Sequence, residues 1–161
     1  MYKRKLLLLA VAVLPLLMGA ASCKKDNQES LAEKFEKEFG KLACKPEPVF
    51  GKKNEIIGKW KLVQKWSITG NQNGNVVIDT VDVSCNNVIY EFKADNILTV
   101  TGDKDDIAAG NYTYSYRTIN SCPTCLPAPN LRIDNKEGIF AYVYEYKIIM
   151  PNVNKAFIRI K

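Results

Sequence analysis

Three hydrophobic patterns follow one another along the chain. Leu6–Met18 is apolar throughout, Leu31, Phe35, Phe39 and Leu42 recur at spacings of four, four and three, and from Glu55 onward apolar and polar residues alternate. The first run has 13 residues, about 20 Å as a helix and short of a hydrocarbon core of about 30 Å. Pro15 interrupts it, Lys3, Arg4 and Lys5 precede it, and the small residues Gly19, Ala20, Ala21 and Ser22 follow. Those features predict a cleaved export signal over residues 1–22. The second pattern puts four apolar side chains on one helical face, with opposite charges at i,i+4 in Glu33/Lys37 and Lys34/Glu38. Ser30 and Glu33 fit a capping box, and Gly40 is a stop. Such a helix is marginal alone, so its stripe is expected to cap one end of the following domain, or else to bind a partner. Pro46-Glu47-Pro48 opens a loop to Asn54, which divides a tether with a short helix, residues 23–54, from a β domain, residues 55–161.

The alternation beyond Glu55 predicts about eight strands joined mainly by short connections. Ile57–Thr69 places Trp60, Leu62, Trp66 and Ile68 on one face, with the alternation broken at Val63 and Gln64. Gly70–Gly74 is a turn into Val76–Val83. Val88–Lys93 turns through Ala94-Asp95-Asn96 into Ile97–Thr101. Tyr112, Tyr114 and Tyr116 mark another strand, followed by a short one at Leu131–Asp134. Ile139–Met150, carrying Tyr142, Tyr144 and Tyr146 on one face, reads as the longest strand, and Lys155–Lys161 is the last. No interior stretch has a helix-length period, so parallel crossover units are disfavoured. An all-β antiparallel up-and-down barrel satisfies this pattern and leaves no free edge, with a two-sheet sandwich as the competing architecture.

Composition changes the functional picture more than the fold. The 161 residues contain no histidine, which removes imidazole bases and imidazole metal ligands. The carboxylates Asp79, Asp82 and Glu145 are scattered, so an enzyme is not expected, nor a cofactor. The formal charge is +6, and removing residues 1–22 takes away three of the 23 basic side chains, leaving +3. A balance that small does not argue for nucleic acid. Gly102-Asp103-Lys104-Asp105-Asp106 lacks the glycine and terminal glutamate of a calcium loop.

Apart from Cys23 there are four cysteines, Cys44, Cys85, Cys122 and Cys125, an even set in an exported chain, and two disulfides are expected from three pairings. The preferred arrangement joins Cys85 to one cysteine of Cys122-Pro123-Thr124-Cys125 and Cys44 to the other. A redox dithiol needs a helix after the motif, which Leu126-Pro127-Ala128-Pro129 forbids, and a zinc site needs two close pairs. No metal is expected.

Ala20-Ala21-Ser22-Cys23 resembles the lipobox of bacterial lipoproteins, with Ala20 in place of the usual leucine. The resemblance implies acylation of Cys23, palmitate included, and stable attachment to a membrane. Lys24-Lys25-Asp26-Asn27 resembles the tags that send some lipoproteins of Bacteroides-type bacteria to the outer face. An outer-membrane location follows, on the periplasmic or the cell-surface side.

Ile56-Ile57-Gly58-Lys59-Trp60 resembles the Gly-x-Trp opening of lipocalin-type barrels. Phe92-Lys93-Ala94-Asp95-Asn96 is similar to the Phe-x-x-Asp-Gly hairpin of lipocalin-like lipoproteins of Bacteroides-type bacteria, with Asn96 in the glycine position. Gly110-Asn111-Tyr112 resembles that family's next strand start. The likeness spans residues 56–161. It implies that Trp60 plugs the narrow barrel end, that Gly58 lets the chain pass closely, and that Arg159 stands in for the arginine that caps the tryptophan. Asp79-Thr80-Val81 resembles the O-glycosylation site of exported proteins of such bacteria, making Thr80 a candidate. Asn111-Tyr112-Thr113 fits a sequon with meaning only in eukaryotic secretion.

Two functional classes remain. One is a binding module in which Tyr112, Tyr114, Tyr116, Tyr142, Tyr144 and Tyr146 line a mouth for a small, partly apolar ligand. The other is a structural or protein-interaction module of the envelope, with the Leu31–Leu42 helix as docking element.

Overall fold

The fold was taken from a computed structural model, which describes residues 29–70, 76–102, 104–119, 127–134, 136 and 138–161. Cys23, its flanking tag, Cys122 and Cys125 lie outside these residues. Ten strands form one antiparallel sheet: β1 (Gly58–Gly70), β2 (Val76–Asp82), β3 (Ile89–Phe92), β4 (Ile97–Thr101), β5 (Gly110–Ile119), β6 (Ala128–Ile133), β7 (Ile139–Phe140), β8 (Tyr142–Val143), β9 (Lys147–Met150) and β10 (Lys155–Ile160). They amount to eight staves. β2 and β3 run along the same side of β1, the former against Gln64–Gly70 and the latter against Gly58–Lys61, with a short 3-10 turn at Ser84–Asn86 between them. β7 and β8 are one strand interrupted at Ala141, pairing β6 on one side and β9 on the other. Pairing of β10 with β1 completes the ring. The result is the expected up-and-down all-β barrel.

Two strands differ from the sequence reading. Ile139–Met150 is not one long strand, because the chain turns at Tyr144–Lys147, where the Tyr144 N–H donates to the Lys147 carbonyl at 2.8 Å. Ala141 and Val143 thus face the interior before the turn and Ile148 and Met150 after it. In β1, Val63 is a bulge: Leu62 pairs Phe157 and Gln64 pairs Ala156. One extra residue exchanges the two faces of everything beyond it. Trp60 and Leu62 point inward, whereas Trp66 and Ile68 leave their face and Lys65 takes the inner one, opposite Lys155.

The lower barrel is filled by Trp60, Leu62, Phe92, Leu98, Leu131, Ile148 and Phe157, all at most 1% exposed. Burying one such side chain contributes about 1.5–3 kcal/mol. A second core lies outside the wall. There Phe35, Phe39 and Leu42 of helix α1 (Leu31–Phe39) and its exit pack on Val63, Tyr146 and Ile158. Ser30 and Glu33 cap the helix reciprocally as anticipated. It covers the flank of the barrel, not an end. Cys44 is bonded to Cys85, so the crosswise pairing through Cys122 and Cys125 is incorrect. The helix exit brings Cys44 to the β2–β3 turn, where Ala43 N–H donates to Asp82 Oδ2 at 2.7 Å and Cys44 N–H to Ser84 Oγ at 3.0 Å.

Candidate functional site

The two ends of the barrel are built differently. At the lower end Trp60 donates its indole N–H to the Ile56 carbonyl at 2.7 Å, and the Arg159 guanidinium lies 4.6 Å above its ring. β1 and β10 place the two side chains together, since Trp60 is paired with Arg159 across the strands. Arg159 Nη1 also pairs with Glu55 Oε2 at 3.2 Å, and Nη2 donates to the Glu55 carbonyl. The strap before β1 crosses this end, with Val49, Gly51 and Asn54 N–H groups donating to the carbonyls of Arg159, Glu145 and Val143. A Cβ on Gly51 would fall 1.7 Å from Arg159 Nη1. Only glycine lets strap and guanidinium lie so close. Gly58 has another reason: nothing approaches its Cβ position, but its φ of +134° is one that side-chain-bearing residues rarely adopt. The lower end is plugged around Trp60, and beside the strap a more polar cavity of about 600 Å³ is lined by Lys53, Asn54, Tyr116, Arg117, Pro129 and Tyr142.

The upper end keeps space. Two adjoining cavities of about 280 and 200 Å³ share Asp106, Ile107, Ile133, Lys136 and Ile139, and Tyr112, Tyr90, Met150, Val153 and Lys155 complete their walls. The lining is mainly aliphatic, with charged groups at the edge.

Behind the mouth lies a charge cluster. Asp105, whose side chain is fully buried, sits 2.9 Å from Lys65 Nζ and 2.7 Å from Lys155 Nζ, and accepts a 2.5 Å hydrogen bond from the Tyr90 hydroxyl. Asp106 adds contacts of 3.5 and 3.2 Å to the same lysines. Burial by itself would raise the Asp105 pKa, but the bonds from Lys155, Tyr90 and Lys65 bring it down to about 2. Burial and then Asp105 push the Tyr90 hydroxyl well above its ordinary value. For Lys65 burial opposes the charge, yet Asp105 and Asp106 raise its pKa. At neutral pH Asp105 and Lys65 are therefore charged and the Tyr90 hydroxyl keeps its proton, and the contacts tie the β4–β5 loop over the mouth. It escaped the sequence reading because putting Trp66 and Ile68 on the face of Trp60 and Leu62 leaves Lys65 on the opposite one. The irregularity at Val63 was the available signal.

The tyrosines divide. Tyr112, Tyr114 and Tyr116 all face the interior. Tyr112 reaches the mouth and donates to the Ala108 carbonyl at 2.8 Å, Tyr114 donates to Lys93 O at 2.7 Å, and Tyr116 to Ala141 O at 3.2 Å. Of the second set, Tyr142 meets the first, lining the cavity of about 600 Å³ together with Tyr116. Tyr142 is on the outside, 40% exposed. Tyr144 stands at the turn under Lys147, and Tyr146 packs edge-on against Phe35 and Phe39. Thr80 is exposed on β2. Among the described residues no group of His, Cys, Asp and Glu is gathered to hold a metal ion, and no helix is long and apolar enough to cross a membrane.

The fold and the tryptophan plug define a class: an eight-stave antiparallel barrel plugged around Trp60 at one end, with a small apolar mouth at the other. Comparison with protein-family profiles, curated protein sequences and solved structures finds no match for this chain.

Proposed function

We propose that this protein is a lipoprotein, held by acyl chains on Cys23 in the outer membrane, whose lipocalin-like barrel takes a small, partly apolar ligand in its mouth. The observation that carries the binding part is the pair of cavities walled by Ile107, Ile133, Ile139 and Met150 with Lys136 and Lys155 beside them. That combination of apolar walls and few polar groups is what small-molecule sites share. A volume near 280 Å³ lies at the low end of such sites, so the ligand is small. The signal-like residues 1–22 and the lipobox support the anchor, and Arg159 over Trp60 agrees with the lipocalin resemblance.

The test is native mass spectrometry of the mature protein purified from membranes, followed by titration with small carboxylic acids and alcohols of graded chain length. Binding that disappears in Ile133→Trp, which fills the cavity, supports the reading. No bound mass and no response to the series would refute it. The alternative, an envelope interaction module docking through the Leu31–Leu42 stripe, gains nothing from the geometry, because that stripe already covers the barrel wall.

A further inference from the structure

Beyond the barrel mouth, β1 and β2 continue as a two-stranded ribbon, Trp66–Gly70 against Val76–Thr80. Ile68, Val76, Val77 and Ile78 on it are 43–67% exposed. A lone two-stranded ribbon gains little stability from such side chains in water, and exposed aliphatic residues grouped in this way mark a contact surface. The bulge at Val63 decides how they are arranged. Beyond it the outward face carries Trp66, Ile68, Val76 and Ile78, with Thr80 and Gly70 between them. The thirteen residues Trp66–Ile78 contain no Asp, Glu, Lys or Arg, in a chain that is 25% charged.

The same outer surface carries α1. The helix lies on the outer side of Val63 and Ile158, and its exit is fixed to Asp82 and, by the disulfide, to Cys85 at the foot of the ribbon. The chain before Glu29 leads from this flank to Cys23 through six residues, a reach of at most about 20 Å. Acyl chains on Cys23 would hold the barrel with this flank close to the lipid.

We infer that the ribbon is a second membrane contact, its Trp66/Ile68/Val76/Ile78 face seated in the interfacial layer of the bilayer that holds the anchor. The inference rests on the lipid-anchor reading of Cys23 given above. An uncharged face with one tryptophan suits the boundary between headgroups and acyl chains. The ribbon does not enter the hydrocarbon core, because among the described residues its outer backbone edges beyond Trp66 have no strand partner and would lose their water there. Two attachments, one covalent and one by this face, fix the orientation of the barrel as well as its location.

Trp66 makes the test direct, since the only other tryptophan, Trp60, is fully buried inside the barrel. The full-length protein, processed in its host, is purified, its acylation read by mass, and reconstituted into phosphatidylcholine vesicles with plain or brominated acyl chains. Brominated chains are expected to quench the Trp66 share of the emission and spare that of Trp60. Trp66→Phe removes the quenching, and Ile68→Asp/Ile78→Asp removes it while the acylated protein stays on the vesicles. An acylated, vesicle-bound protein with unquenched Trp66 overturns the inference. So does a Trp66 emission that shifts with protein concentration and ignores bromine, which assigns the face to a second copy of the chain. Absence of acylation defeats the anchor reading separately, and the ribbon is then judged by the same quenching with excess vesicles, its presence supporting and its absence overturning the contact.

Discussion

Replacing Asp105 by Asn removes the one buried negative charge between Lys65 and Lys155 while keeping the shape of the side chain. Its depressed pKa, about 2, sets the size of the effect. Against an unfolded value near 3.9, with 1.36 kcal/mol for each pKa unit, the native state favours the ionised carboxyl by about 2–3 kcal/mol. Asp105→Asn should therefore destabilise the protein by about that much at pH 7. Asp105→Ala should cost more, about 3–5 kcal/mol, because it leaves Lys155, only 5% exposed at its side chain, without its main partner.

The sign with pH is fixed by the direction of the shift. A carboxyl with a lowered folded pKa contributes fully above its unfolded pKa, and the contribution is lost as pH falls from near 4 through about 2. The wild-type protein should thus converge on Asp105→Asn in that window, since a protonated aspartic acid and an asparagine are both neutral. Urea unfolding with the Cys44–Cys85 bond intact, followed by tryptophan fluorescence at several pH values, measures the difference directly. A gap below about 1 kcal/mol at pH 7 would refute the reasoning. A gap of full size that persists to pH 2 would do so too, since it would be steric and not electrostatic.

Other outcomes can be checked by comparable means. Cys44→Ser/Cys85→Ser opens a loop with a sequence separation of 41 and should lower stability by about 4 kcal/mol in the chain-entropy model, read as a urea midpoint shift that reductant reproduces in the wild type. Gly51→Ala drives a methyl group into Arg159; the guanidinium must leave the Trp60 ring, so a near-ultraviolet dichroism change and a loss of about 1–2 kcal/mol are expected, and an unaltered spectrum would contradict the plug geometry. Phe39→Ala, at 4% exposure between α1 and the wall, should cost about 3–5 kcal/mol. Amide exchange should then rise in Leu31–Phe39 before the barrel strands; equal acceleration everywhere would mean that helix and barrel unfold as one unit.

Much of the fold was legible because it depends on local periodicity. The helix, its Ser30/Glu33 cap and the all-antiparallel strand order follow from spacing and from the lack of any crossover helix. The hairpin at Asn96 follows from a residue type that tolerates the left-handed backbone it adopts there, φ 63°. Count and content diverged, however. About eight strands were expected and eight staves are present, yet one is β2 with β3, and Ile139–Met150 supplies two, β7 with β8 and β9. Alternation continues across a tight turn in sequence even when the chain reverses, so it cannot reveal the Tyr144–Lys147 corner.

The sequence by itself determined the class of fold and the charge balance, since each is set by composition or by neighbours along the chain. Only tertiary structure decided which side each residue serves. One extra residue at Val63 moves Trp66 and Ile68 outward and turns Lys65 inward, where it meets Lys155 and Asp105. The disulfide partner of Cys44 was decided in the same way: α1 packs on the barrel flank, and its exit falls beside Cys85. Bulges and docking contacts bring together residues distant in sequence, and no pattern along the chain encodes which distant residues those are.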